Sequence, residues 1–111
     1  MTPRLAARVW VDAYLRRLDI ATIPAHVAAK GDPTAGTVMV KVATMDGRAT
    51  CYQRSFDLAT GERAWIVLAE GAESEVDEIL ARQRRFDPDL WVIEVEDPKG
   101  RHLLDEDGLG S

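Results

Sequence analysis

Residues 37–54 constrain this chain more than any other stretch. From 37 to 43 the side chains alternate without a break, with Val38, Val40 and Val42 on one face and Thr37, Met39 and Lys41 on the other. A period of two is the mark of a half-buried strand. Asp46-Gly47 follows. A type I′ turn needs positive φ at both central residues, so Asp-Gly between two alternating runs predicts a tight hairpin. Residues 48–54 return antiparallel, with Ala49, Cys51 and Gln53 on one face and Thr50 and Tyr52 on the other.

The flanking segments extend this hairpin into a domain. Residues 4–20 have a helical period. Arg8, Asp12, Arg16 and Asp19 form a narrow polar stripe, Ala7, Trp10, Val11, Tyr14 and Leu18 lie opposite, and Val9, Ala13 and Leu15 occupy the flanks. The apolar arc is wide, which predicts a helix covered on more than one side. Thr2 before Pro3 supplies a start. Arg8–Asp12 and Asp12–Arg16 are exposed i,i+4 pairs worth a few tenths of a kcal/mol each. After Pro24, residues 25–30 read as a strand ended by the turn-rich Gly31-Asp32-Pro33-Thr34-Ala35-Gly36. Residues 57–62 form a second turn region. Residues 64–69 follow as a strand whose Trp65-Ile66-Val67-Leu68 is apolar on both faces, which predicts a central, covered position.

A second helix is expected over residues 74–85. Ser74 can cap it, Glu75, Asp77 and Glu78 sit in its first turn, and Arg82, Arg84 and Arg85 in its last, complementing the helix dipole. Its apolar stripe is Val76, Ile79 and Leu80 with Gln83. Asp87-Pro88-Asp89 stops it, because the residue before proline avoids the α region. Residues 90–96 make a strand with Trp91, Ile93 and Val95 on one face and Leu90, Val92, Glu94 and Glu96 on the other. Two like charges on one strand face suggest a sheet edge, or a partner such as Arg101 across the next turn. Residues 97–100 turn, and 101–104 make a short final strand. The order α-β-β-β-β-α-β-β predicts an α+β (α/β-like) domain. It holds a mixed, mostly antiparallel sheet of five to six strands and two helices. The segment from 64 to 95 forms a parallel crossover.

Length and charge narrow the class of protein. One domain fits 111 residues, covering 1–104, with 105–111 as a flexible acidic tail. With 46% hydrophobic and 30% charged residues, intrinsic disorder and disulfide scaffolds are excluded. The net charge of −5 is unevenly placed: residues 1–55 balance at +4 and residues 56–111 at −9. An acidic whole disfavours nucleic acid and anionic membrane surfaces, whose affinity rests on Lys and Arg. Cys51 is the single cysteine, so no intramolecular disulfide forms, which fits a cytoplasmic setting. No signal peptide and no membrane helix are expected.

No phosphate loop, dinucleotide fingerprint or nucleophile elbow is present. His26 and His102 lack metal-ligand spacing and read as structural or surface residues. Cys51 reads as a small buried hydrophobe. Asp87 and Asp89 with Glu94, Glu96 and Asp97 could converge on a hard cation, but a turn and a solvated sheet face account for them better. No catalytic residue, cofactor or metal is assigned. Arg82, Arg84 and Arg85 complement the dipole and can bind the two following aspartates. Trp10, Trp65 and Trp91 read as core anchors, and any one left exposed would mark an interface.

The run from Arg85 to Asp97 (RFDPDLWVIEVED), with Gly100-Arg101-His102 after it, resembles the closing motif of a small bacterial family, domain of unknown function 1491. The stretch from Val11 to Arg17, Gly31-Asp32 and Ala35-Gly36 resemble its earlier blocks, so the likeness covers about residues 4–104. It implies a single-domain cytoplasmic α/β or α+β protein with no assigned activity, and transfers no catalytic residue. The expectation is a non-enzymatic binding or adaptor protein, a monomer or homodimer with a protein partner. Its candidate interaction surface is the helix-to-strand corner of Arg84, Arg85, Asp87, Asp89 and Trp91, with His102. The rival is a small-molecule site or enzyme at Arg85, Asp87, Asp89 and His102. Nucleic-acid binding through Arg82, Arg84 and Arg85 is a third, disfavoured reading.

Overall fold

The computed structural model describes residues 5–56, 59–61 and 63–106. The expected Thr2-Pro3 helix start, part of the 57–62 turn and most of the acidic tail lie outside them. The elements are α1 (Ala7–Ile20), β1 (Ala25–Ala29), β2 (Val38–Ala43), β3 (Arg48–Phe56), β4 (Arg63–Ala72), α2 (Glu73–Phe86) and β5 (Trp91–Glu96). The five strands form one mixed sheet in the order β1-β5-β2-β3-β4. β5 pairs antiparallel with β1 and parallel with β2; β2–β3 and β3–β4 are antiparallel. β4 therefore runs parallel to β5, and α2 is the expected crossover between them.

The alternation read from the sequence sorts the core into two layers. Val38, Val40, Val42, Trp91, Ile93 and Val95 pack with Trp10, Val11, Tyr14 and Leu18 of α1. Met39, Ala49, Cys51 and Val92 pack with Val76 and Leu80 of α2. The helices thus cover opposite faces, and β2 is buried at all six positions rather than half-buried. α1 is covered on one side only: Val9 and Ala13, expected on a covered flank, are exposed. Its first N–H groups are satisfied by main chain, Ala7 N–H donating to Thr34 O (3.1 Å) and Arg8 N–H to Pro33 O (2.9 Å).

Four local expectations need correction. The hairpin turn is wider than a type I′ pair, because positive φ falls at Met45 (66°) and Gly47 (85°). The Asp46 carboxylate pins it by accepting from the Thr44 hydroxyl (2.6 Å) and Arg48 N–H (3.2 Å). Ser74 does not cap α2: Ala72 precedes the helix, and the Glu73 N–H donates to Gly47 O at 2.8 Å. β4, expected at the centre, is the edge strand. Residues 101–104 form no strand. Asp97, buried at the end of β5, accepts from the Arg101 backbone (2.7 Å) and guanidinium (3.0 and 3.1 Å), turning the chain back over α1. Leu104 then enters the α1 layer, and the Tyr14 hydroxyl donates to His102 O at 2.8 Å.

The 31–36 turn is the tightest junction. A Cβ on Gly31 or Gly36 would run into the Asp89 carbonyl oxygen and the Trp91 ring. Since backbone cannot step aside as a flexible side chain does, Gly36→Ala is expected to destabilise the fold by about 2–3 kcal/mol, read as a lower urea midpoint at unchanged slope.

Candidate functional site

The corner singled out from the sequence is a structural junction in most of its parts. Arg84 extends from α2 to donate to Lys30 O (3.3 Å) and Pro88 O (3.2 Å), rather than to the aspartates. Asp87 accepts the Asp89 N–H at 3.1 Å, and the Asp89 carbonyl accepts the Asp32 N–H at 2.9 Å. Trp91 is turned inward, 3% exposed, its indole N–H bonded to Asp32 O at 2.7 Å. Arg85, Asp87 and Asp89 remain exposed beside Phe86, which is 83% exposed. His102 is not brought to them. Its ring lies 4.6 Å from that of Tyr52, and Nδ1 accepts the Leu104 N–H at 3.0 Å. Burial holds this imidazole below its ordinary pKa, against a weaker upward pull from Asp105. A neutral ring is what an accepting Nδ1 requires.

The most unusual electrostatic feature lies at Lys41, which sequence alternation placed on a strand face without a partner. It is buried at 4% exposure in the central strand. Its ammonium reaches Asp77 Oδ1 (2.6 Å), Glu73 Oε2 (2.8 Å) and Glu94 Oε1 (3.3 Å). α2 supplies the first two, one turn apart on the helix face that packs on the sheet. β5 supplies the third, in register with Lys41 across the parallel pair. Burial works against the charge, but hydrogen bonds to Asp77 and Glu73 and the charges of Glu94 and Asp77 outweigh it and hold the ammonium above its ordinary range. Glu94 is therefore neither at an edge nor paired with Arg101; Lys41 is its partner, with His26 Nε2 at 3.8 Å on its other oxygen. A signal for this was present in the sequence: a lysine inside a strand of valines needs acids from elsewhere in the chain.

One cation among three carboxylates leaves an excess of negative charge. A depression of about 270 Å³ opens beside it, lined by Glu73, Glu94 and Glu96 with Ala43, Met45 and Gly47. A second, of about 250 Å³, lies at the end of α1 between Arg17, Ile20, Ala21, Leu103 and Glu106. Among the described residues no group of three His, Cys, Asp or Glu is arranged to hold a metal ion. No described helix is long and apolar enough to cross a membrane.

The edge strand β4 was also missed as a surface. Ile66 lies opposite Gln53 and Val67 opposite Tyr52, so the two point to opposite faces of the sheet. They are 42% and 51% exposed. No described segment pairs with the outer side of β4. At its start, the Trp65 ring lies tilted against that of Trp10 (5.3 Å between rings), and the Arg54 guanidinium lies 5.0 Å from each ring.

Comparison with known proteins places the chain. The family described as "Protein of unknown function (DUF1491)" matches residues 5–105. The crystal structure of a DUF1491 family protein from Caulobacter crescentus CB15 is 39% identical, covers 93% of this chain and 97% of its own, and superposes with a TM-score of 0.84. An NMR structure of a DUF1491 family protein from the same organism is 38% identical over 95% of this chain and 96% of its own, with a TM-score of 0.80. The solution structure of protein Atu0922 from A. tumefaciens is 33% identical over 85% and 86%, with a TM-score of 0.71. No curated protein matches.

Two measurements follow from this geometry. Lys41→Met leaves three carboxylates facing one another without their cation and should cost about 1–3 kcal/mol in urea unfolding. The Lys41→Met, Glu94→Gln pair should cost less than the sum of its parts. For His102, a folded pKa below the unfolded value of about 6.5 means that its contribution is present above that pH and is lost as the pH falls through the folded value. Stability should decline from pH 7 to pH 5, and His102→Gln should flatten that part of the profile.

Proposed function

We propose that this chain, which belongs to the DUF1491 family, is a non-enzymatic binding module that takes an extended segment of a partner protein along the outer edge of β4. The observation that carries this reading is the state of that edge. β4 is ten residues long and lies at the edge of the sheet, where no described strand pairs with Ile66 and Val67 on the outer side and both are exposed, on opposite faces. A row of unbonded N–H and C=O groups is a template for another strand. An added strand draws affinity from main-chain hydrogen bonds and specificity from its alternate side chains. Here those side chains would meet Val67 beside Tyr52 on one face and Ile66 beside Gln53 on the other.

The opposite edge supports the reading by contrast. β1 is five residues long, irregular between Val27 and Ala29, and carries His26. Short, bulged edges resist pairing. β4 has one bulge, at Leu68 opposite the Cys51–Tyr52 step, and Glu70 beyond it, which blunt its second half and leave residues 64–67 the flatter part. The corner at Arg84, Arg85, Asp87, Asp89 and Trp91 draws less support as a docking surface, since Arg84, Asp87 and Trp91 hold the junction together. The rival small-molecule site that adds His102 draws less still, because that ring packs on Tyr52 and the depressions described above are lined by other residues. A cytoplasmic setting goes with the reading: the single thiol, Cys51, is buried and pushed up to about 12 by desolvation. A thiol in that state needs no oxidising compartment and resists oxidation.

The test uses wild-type protein and Val67→Lys as parallel baits in the native cell. A lysine on an exposed edge blocks strand addition without disturbing the core. The expected result is a protein retained by wild type and lost by the variant, whose addition slows amide exchange in residues 64–69 by about tenfold or more. The reading is overturned if every captured protein also binds Val67→Lys, or if the slowed amides lie in another element.

A further inference from the structure

The outward face of α1 has a composition that its own domain does not use. On a 100° wheel the buried residues Ala7, Trp10, Val11, Tyr14 and Leu18 occupy one arc, and the directly opposite arc is divided lengthwise. One flank carries the alternating stripe Arg8, Asp12, Arg16, Asp19. The other carries Val9, Ala13 and Ile20, with Val9 52% and Ile20 72% exposed. Within one copy the stripe is only weakly paired, Arg8 and Asp12 approaching to 3.9 Å with both side chains mostly exposed.

We propose that this face is the interface of a homodimer, in which α1 packs antiparallel on α1 of a second copy about a two-fold axis between Ala13 and Tyr14. The axis stands normal to the plane of the two helices, so a flank of one helix meets the same flank of the other. Charged flank then lies against charged flank in reverse order. Arg8 falls opposite Asp19 of the second copy and Asp12 opposite Arg16 of the second copy, so that each arginine of the stripe meets an aspartate. The axial offsets are within about 1 Å at 1.5 Å of rise per residue. On the other flank Val9 falls near Ile20 of the second copy, and Ala13 lies beside the axis, small enough for close approach of the helices. A parallel pair would set the charged flank against the apolar one, which disfavours it.

A second observation agrees with this register. Leu5, just ahead of α1, is 61% exposed. The same two-fold places it at the level of residue 22 of the second copy, beside the depression lined by Ile20, Ala21 and Leu103. One helix face and its ends form an interface at the small end of the specific range, which goes with a dimer that dissociates on dilution.

Sedimentation velocity from about 10 to 500 μM spans the range expected for an interface of this size. The wild type should shift from monomer toward dimer over that span. Asp12→Arg and Arg16→Asp, both on exposed positions and checked for unchanged circular dichroism, should each weaken association by about tenfold or more through like-charge contact. Asp12→Arg with Arg16→Asp should restore it, because the pair re-forms with its signs exchanged. Val67→Lys should leave the dimer unchanged, which separates this interface from the β4 edge. A monomer at every concentration overturns the proposal. So does a dimer indifferent to Asp12→Arg, a double variant that is not rescued, or a dimer abolished by Val67→Lys.

Discussion

The burial of β2 on both faces is the constraint from which the rest of the architecture follows. A strand hidden at all six positions must have a strand on either side and a helix above and below. β3 reaches one side through the short hairpin. The other side is filled by β5, the last strand in the chain, running parallel. A parallel neighbour cannot be reached by a tight turn, so the chain must cross the sheet, and α2 is that crossing. α1 then closes the remaining face, its first N–H groups held by carbonyls of the 31–36 turn, where two glycines allow the backbone to lie against Asp89 and Trp91.

Placing Lys41 inside that strand turns a packing constraint into an electrostatic one. An isolated buried ammonium is too costly to keep charged. It is retained because Glu73 and Asp77 arrive on the crossover helix and Glu94 on the strand it serves. The uneven charge of the chain has part of its explanation here: a lysine from the basic half is neutralised by three acids from the acidic half. The pairing also records the topology. Glu73 and Asp77 meet Lys41 only if α2 lies on the face opposite α1, and Glu94 only if β5 is in parallel register with β2. Buried ion pairs are often retained for the arrangement they enforce rather than for net stability over an apolar alternative.

Much of the fold was legible in local pattern. The alternation of Val38, Val40 and Val42, the Asp-Gly turn, the dipole-matched helix and the proline stop each depend on near neighbours, and each element appears within a few residues of its expected place. What was not legible depends on distant ones. Trp65 to Leu68 is apolar on both faces, a pattern that states how a strand is used and not where it lies in the sheet. Trp65 packs toward α1 and Leu68 toward α2, while Ile66 and Val67 remain open at the edge. Residues 101–104 read as a short strand after the 97–100 turn, but Asp97 captures the Arg101 backbone and side chain and directs the chain over α1 instead. The corner at Arg84 to Asp89 was correctly seen as a concentration of polar groups. Its bonds to the Lys30, Pro88 and Asp89 carbonyls could not be seen, because main chain leaves no mark in composition. Lys41 and its acids stand 32 to 53 positions apart, beyond any periodicity.

The same distinction bears on where this protein meets others. A sheet with both faces closed has little left to offer a partner except its edges and the outer sides of its helices. Its two edges are treated differently: β1 is short and irregular, β4 is long and apolar. The outer sides of the helices differ as well. α2 turns Glu73 and Asp77 toward Lys41 and Arg84 toward the corner, so part of its charge is committed within the domain. α1 commits none of the Arg8–Asp19 stripe to the core it covers, and Val9 and Ile20 beside that stripe remain 52% and 72% exposed. A wide apolar arc on a helix that is covered on one side only is unaccounted for by its own fold. That is the physical reason to look for its complement outside the domain, and a second copy of α1 carries the matching sequence in reverse.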